Sequence, residues 1–272
     1  MDEDIESFVK ESEAVLITAG AGMGVDSGLP DFRGDEGFWR AYPAAKRLGL
    51  SFAELANPRW FETDPALAWA FYGHRLHLYR DTVPHDGFGM LLEFAKSKDE
   101  WFVFTSNVDG QFQKGGFDEE KIVECHGSIH HLQCTVCGSG IWSADGVDIP
   151  VDMDSFRALE WPACHACGAT ARPNILMFGD WGWDSARTLA QEERFDDFLQ
   201  RVSVKRAKLL IVEIGAGTAV PTVRLTGERI ARATGGRLIR INPREPQIES
   251  SLGVGLAMGG FDGIERIIKK CR

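Results

Sequence analysis

The sequence predicts an α/β protein built on a parallel, doubly wound sheet, with a smaller module inserted into it. Three observations carry this. Short apolar runs stop abruptly at Gly, Asn, Asp or Pro. Helical patterns separate those runs, and two long stretches, 44–84 and 130–171, break the rhythm.

Taken in order, residues 2–13 read as a short polar helix, and "AVLIT" (14–18) is an apolar run ending in glycines, as a strand buried on both faces does. "WFVFTS" (101–106), "LLIVEIG" (209–215) and "RLIRIN" (237–242) repeat the pattern. Helical spacing over 87–97, 184–207 and 222–235 fills the intervals. Strand and helix therefore alternate, and ligands of such sheets sit outside the carboxyl ends of the strands, where these glycine and Asn/Asp clusters fall. The insertion 44–84 is rich in aromatic and aliphatic residues at mixed helical spacing, whereas 130–171 carries four cysteines with little periodicity. The larger unit is expected to take 1–43, 85–129 and 172–272, and the two insertions the smaller one.

With 272 residues, 44% hydrophobic and 26% charged, the chain is long enough for one large domain carrying a small one. Forty acidic against 30 basic side chains give a formal charge of -10, which argues against a nucleic-acid footprint and makes basic peptides or small ligands the better partners. No run approaches a membrane span, and "MDEDIESFVKESEAV" is acidic where a secretory signal would be basic and then apolar. A cytoplasmic protein with no membrane partner is expected. Its oligomeric state is not legible.

Three clusters carry chemistry. The loop "TAGAGMGVDSGLPDFRG" (18–34) puts glycines directly after a strand, where backbone N–H groups can approach a pyrophosphate, and closes on Asp31, Phe32 and Arg33. Its glycines do not spell G-x-G-x-x-G, so a strand-to-helix turn without a ligand, with Arg33 pairing a surface acid and Phe32 in the core, remains the alternative. "CTVCG" and "CHACG" are matched knuckles separated by 26 residues; Cys134, Cys137, Cys164 and Cys167 make a closed, structural Zn2+ site. A redox pair or two buried thiol pairs are the alternatives. Cys125 and Cys271 are left over. "TSNVDG" places Asn107 and Asp109 on one side of an extended chain, and "ECHGS" sets His126 at a loop mouth, with a pKa near 6.5 suited to general-base work. A satisfied core histidine is the alternative there.

The glycine loop, "SNVDG", "CHGS", the two knuckles, "RPNILMFGD" and "RINPRE" occur in this order. Together they make the chain resemble a sirtuin, an NAD-dependent protein deacylase, over about residues 14–250. The resemblance implies a Rossmann-like domain plus a small domain formed by a zinc module and a helical module. It further implies that Gly20, Ala21 and Gly22 hold the NAD diphosphate and that Asp31, Phe32 and Arg33 lie on the cofactor loop, with Ser106 beside the cofactor. Asn107 looks like the ligand of the nicotinamide ribose, Asp109 like the reader of the carboxamide, and His126 like the catalytic base. Gly215, Ala216 and Gly217, with Asn242 and Glu245, look like the adenosine-binding turns. Met177, Phe178 and Gly179 resemble the stretch that pairs with the backbone of an acyl-lysine protein substrate by strand addition.

Some positions depart from that pattern. Gly24 stands where serine is usual, Ser106 where glutamine is usual, and "GAGT" (215–218) where Gly-Thr-Ser is expected, so that a phosphate-facing hydroxyl is missing or moved to Thr218. A sirtuin-shaped ADP-ribosyltransferase or NAD hydrolase is therefore the rival expectation, followed by a zinc-and-nucleotide binding module without catalysis. "FYGHR" sets Tyr72 and Arg75 on one helical face. It resembles the Tyr-x-x-Arg of desuccinylases, where the pair clamps an acidic acyl group. The other reading is an amphipathic helix with Tyr72 half buried and Arg75 solvated.

Overall fold

A computed structural model describes residues 2–31 and 34–270. Phe32, Arg33 and Cys271 lie outside them. The strands, in chain order, are β1 (Ala14–Ala19), β2 (Glu100–Thr105), β3 (Ile122–Glu124), β4 (Gly127–Cys134), β5 (Ile141–Ser143), β6 (Val151–Asp152), β7 (Arg157–Ala158), β8 (Ala171–Ile175), β9 (Leu209–Ile214), β10 (Arg237–Ile241) and β11 (Gly253–Leu256).

The main sheet runs β11-β10-β9-β1-β2-β3, with every pair parallel. The chain winds from β1 outward through β2 to β3, then returns to β9 on the other side of β1, so the winding reverses beside β1. Each residue of β1 and β9 is buried. Side chains alternate between two cores. Ile17, Val103, Val212 and Ile239 face one, shared with Asp86–Lys96 and Gly260–Lys269; Leu16, Phe102, Ile211 and Leu238 face the other, shared with Ala186–Lys205 and Thr222–Thr234. Burial on both faces is why these strands read as unbroken apolar runs. The sequence reading lacks β11, whose "GVGL" has two glycines and one β-branched residue.

The two insertions share a third core. The helix Pro65–Asp81 starts at Asp64, whose carboxylate accepts from Leu67 N–H at 3.2 Å, with Pro65 in the first turn. Its buried residues occur on all sides, including Trp69, Phe71, Tyr72 and Leu76, so it is a core helix and not an amphipathic one. Against it pack Ile149, Phe156 and Ala158 from the cysteine-bearing segment. That segment holds an antiparallel sheet, β5-β4-β8. The Trp69 indole N–H donates to the Ala171 carbonyl at 3.0 Å, tying helix to sheet.

Candidate active site

The carboxyl ends of β1, β2, β9 and β10 converge. Gly20 N–H donates to Ile214 O at 2.9 Å, Gly215 N–H to Ile241 O at 2.9 Å and Ser106 N–H to Ala19 O at 3.1 Å, so the ladders continue one residue beyond the strands. Two glycines are needed at this junction. A Cβ on Gly20 would lie 2.8 Å from Ala216 Cα, and one on Gly215, at φ 64°, would lie 2.4 Å from Gly22 Cα. The loop continues as a 3-10 turn, Ala21–Ser27, stopped by Gly28 at φ 87°. The side chain of Leu29 fills the space beside Gly24, its Cδ1 3.0 Å from where a Cβ would be. A serine there would have to displace it.

These ends border a cavity of about 1150 Å³. Gly20, Ala21 and Asp31 after β1, Ser106, Asn107 and Asp109 after β2, His126 after β3, and Gly215, Ala216, Gly217 and Glu245 after β9 and β10 line it. Tyr72 and Arg75 line it from the first insertion, and Met177 and Phe178 from the segment that follows β8. Gly22, Gly179 and Asn242 do not border it. Asn242 is fully buried behind the wall, its Nδ2 donating to Ala216 O at 2.7 Å and its Oδ1 accepting from Glu245 N–H at 2.9 Å, so it braces both turns.

Local bonds aim the central side chains. Thr105 hydroxyl donates to Ala19 O and accepts from Asn107 N–H, both at 3.0 Å, and Asn107 Nδ2 donates to Gly20 O at 3.1 Å. The Asn107 oxygen and its second N–H are what it can offer a ligand. Asp109 Oδ1 accepts from Gln111 N–H at 2.9 Å; burial pushes its pKa up to about 6. His126 is followed by Gly127 at φ 75°, where a Cβ would collide with Asn174 O at 2.0 Å. Only glycine lets β8 pass so close, and β8 carries 176–178 to the cavity: Leu176 N–H donates to His126 O at 3.0 Å. Burial lowers the His126 pKa, opposed by a bond with the Ser106 backbone.

In the wall contributed by the helix Pro65–Asp81, Tyr72 is 1% and Arg75 6% exposed, so neither is half buried or solvated. The Arg75 Nε and Nη2 donate to the Tyr79 hydroxyl at 3.0 and 2.7 Å, and the guanidinium lies over the Phe71, Tyr72 and Tyr79 rings. Beyond β9, Thr218 gives its hydroxyl to Glu245 Oε1 at 2.5 Å and its N–H to Oε2 at 3.1 Å.

The sulfurs of Cys134, Cys137, Cys164 and Cys167 all lie within 4.8 Å of one another, and two pairs are 3.6 Å apart. Tetrahedral Zn–S bonds of about 2.3 Å put sulfurs roughly 3.8 Å apart. Val136 and Cys137 N–H donate to Cys134 Sγ, and Ala166 N–H to Cys164 Sγ, which stabilises thiolate. The cluster fits a structural zinc site. His130 and His131 stay out of it; His130 Nε2 instead meets Asp109 O at 3.0 Å. Cys125 is an inert thiol, burial pushing its pKa to about 12.

The Sir2 family model matches residues 20–220, which is most of the chain. The chain belongs to the Sir2 family. Similar curated proteins include NAD-dependent protein deacylase 2 of Pyrobaculum aerophilum, 31% identical, with 99% of this chain and 95% of that protein covered. Another is the NAD-dependent protein deacylase of Leptospira interrogans, 29% identical, covering 94% and 92%. A solved Sir2 homolog in complex with NAD superposes with a TM-score of 0.74 at 24% identity, over 99% of this chain and 93% of that one.

Within this Sir2-family chain the sequence reading missed Tyr79 and the wall formed by Phe52, Ala53 and Ala56. Tyr79 was detectable: it lies four residues after Arg75, on the same helical face. Phe52 carries no signal beyond being apolar.

The burial of Asp109 has a thermodynamic consequence. Its pKa is about 6 when folded against about 4 unfolded, so between those values the folded state keeps a proton that the unfolded state has lost, and stability falls as pH rises. Asp109→Asn keeps the acceptor for Gln111 N–H and removes the buried charge. It is expected to stabilise the protein by up to about 3 kcal/mol at pH 7 to 8 and by almost nothing below pH ~4. Denaturant melts at two pH values check this; equal gains at both would contradict it.

Proposed function

We propose that this chain is an NAD-dependent protein lysine deacylase that yields nicotinamide and an O-acyl-ADP-ribose. One observation carries the reading: a half-buried His126 shares a single cavity with Asn107 and Asp109, with the glycines at 20, 215 and 217, and with the apolar side chains of Phe52, Met177 and Phe178. The names of the Pyrobaculum and Leptospira relatives support it. NAD, when bound, supplies the glycosidic bond that breaks and the ribose hydroxyl that takes the acyl group.

The chain's own residues divide the work. The backbone at Gly20 and Ala21 meets the diphosphate, and Gly215–Gly217 with Glu245, braced from behind by Asn242, form the adenosine end. Asn107 orients the ribose through its carboxamide, and Asp109 accepts from the carboxamide of the leaving group. His126 takes a proton at a ring nitrogen, for which its lowered pKa suits it at neutral pH. Phe52, Met177 and Phe178 keep water from the reacting centre. Asp31, Phe32 and Arg33 complete the cofactor loop. A cytoplasmic location belongs to this reading; among the described residues no helix is long and apolar enough to cross a membrane.

The acyl group is proposed to be acidic, succinyl or malonyl, because Tyr72 and Arg75 both line the cavity in a desolvated wall where a guanidinium gains most from a carboxylate. The Tyr79 hydroxyl already holds one edge of Arg75, so the carboxylate has to share or replace that contact. Arg75→Met is expected to lower turnover of a succinyl-lysine peptide at least tenfold relative to an acetyl-lysine peptide. An unchanged ratio removes the acidic-acyl reading.

The second reading, an ADP-ribosyltransferase or NAD hydrolase, draws on the Thr218 hydroxyl, which is engaged by Glu245. Nicotinamide release from NAD, with and without acetyl- and succinyl-lysine peptides, separates the two. Release that requires peptide supports deacylation; release from NAD alone supports the second reading.

A further inference from the structure

The helix Pro65–Asp81 brings a third polar residue, Tyr79, to the cavity wall beside Tyr72 and Arg75, and the proposed deacylation steps do not use it. Arg75 and Tyr79 lie four residues apart and share a helical face. The Arg75 Nε and Nη2 both donate to the Tyr79 hydroxyl oxygen, at 3.0 and 2.7 Å. That oxygen is thereby engaged as an acceptor, yet a phenol also has one proton to give. Among the described residues no acceptor takes it. Burial raises the Tyr79 pKa, opposed by Arg75, so the proton stays on at neutral pH. The ring is also fixed in place. Tyr79 is buried, its carbonyl accepts from Gln111 Nε2 at 3.2 Å, and the Arg75 guanidinium lies 5.3 Å from its ring centroid. An O–H held in so dry a wall costs free energy until a guest accepts it.

We propose that Tyr79 is a specificity-determining residue of the acyl pocket, its O–H donating to the distal carboxylate of an acidic acyl group while its oxygen keeps hold of Arg75. The proposal rests on the acidic-acyl reading for what enters the cavity. Three features select a carboxylate. A phenol proton and a guanidinium beside each other are both donors, so a single anionic acceptor answers both. An acetyl group has no distal acceptor and would leave the buried proton unmet. Tyr79 can accept from Arg75 and donate to the guest at the same time, so the carboxylate shares the existing contact and breaks no bond to enter.

The test uses fluorescently labelled peptides bearing succinyl-lysine or its uncharged carboxamide isostere. Dissociation constants are read by anisotropy without NAD for the wild type, Tyr79→Phe, Arg75→Met and the double variant, and nicotinamide release is followed on separate samples with NAD. The wild type is expected to bind the succinyl peptide at least about tenfold tighter than the isostere. Tyr79→Phe should cut that ratio about three- to tenfold. The ratio is internal to each variant, so partial unfolding weakens both peptides alike and leaves it unmoved. Adding Tyr79→Phe to Arg75→Met should weaken succinyl binding about twofold or more again, which separates donation to the guest from an effect exerted through Arg75. An unchanged or larger ratio in Tyr79→Phe, no further loss in the double variant, or no saturable binding overturns the proposal. The readings fail separately. A ratio lost in Arg75→Met but kept in Tyr79→Phe leaves the acidic-acyl reading standing and removes Tyr79, whereas a wild-type ratio of one removes both. A ratio lowered by Tyr79→Phe with no nicotinamide release keeps Tyr79 and removes the deacylase reading.

Discussion

His126→Ala is expected to lower peptide-dependent nicotinamide release by roughly 10²- to 10⁴-fold, the usual worth of a positioned general base. The fold should persist, because the structural bond at this position uses the backbone: Leu176 N–H donates to the His126 carbonyl. The pH profile supplies a second readout. Burial lowers the ring's pKa, so the wild-type rate should rise with pH through a value below 6.5 and then level, and this limb should disappear in the variant. Stability moves in the related sense. Below about pH 6.5 the unfolded chain takes a proton at this ring more readily than the folded chain does, so acid destabilises the wild type and should destabilise His126→Ala less. A variant that retains wild-type release would remove His126 from the base role.

Loss of the metal is the other large effect. Removing zinc with a chelator, or substituting Cys164→Ala, is expected to cost several kcal/mol, since a closed four-thiolate site contributes its binding energy to folding. The damage should reach the cavity. Cys134 ends β4 and Cys167 precedes β8, and these strands pair through Cys134 and Ala171, whose carbonyl holds the Trp69 indole on the helix that carries Tyr72 and Arg75. Metal analysis should find one zinc per chain, and chelation should flatten the near-UV circular dichroism together with activity. A chain that binds no zinc, or whose melting ignores the chelator, would contradict this.

How much of this was legible in the sequence depended on how each contact is made. The interior strands were, because β1 and β9 are covered on both faces and their burial writes itself as a continuous apolar run. The cysteine knuckles were too, since four thiols at matched spacing have few other uses. Most of the site residues sit immediately after a strand, so the position of Asn107, Asp109 and Gly215 followed from the positions of β2 and β9. Asn242 shows the limit of that reasoning: it lies at a strand end yet points behind the wall, where it holds the Ala216 carbonyl. The antiparallel sheet β5-β4-β8 was not legible, because β5 has only three residues and the eight of β4 and five of β8 are buried without alternation. Nor was the fit of Leu29 beside Gly24, a contact between a loop and itself.

The order of the main sheet also has a consequence for how the chain is made. The central strand β1 lies beside β9, with Ala14 opposite Leu209. Both insertions leave the ribosome before that partner does. Until then β1 has β2 on one side and an open edge on the other, apolar but for Thr18, the kind of edge that recruits foreign strands. Closing it is a long-range event and therefore slow. A chain cut just before Leu209 would keep its zinc knuckles and its histidine and still aggregate, because the strand that shields its centre is synthesised only after both insertions.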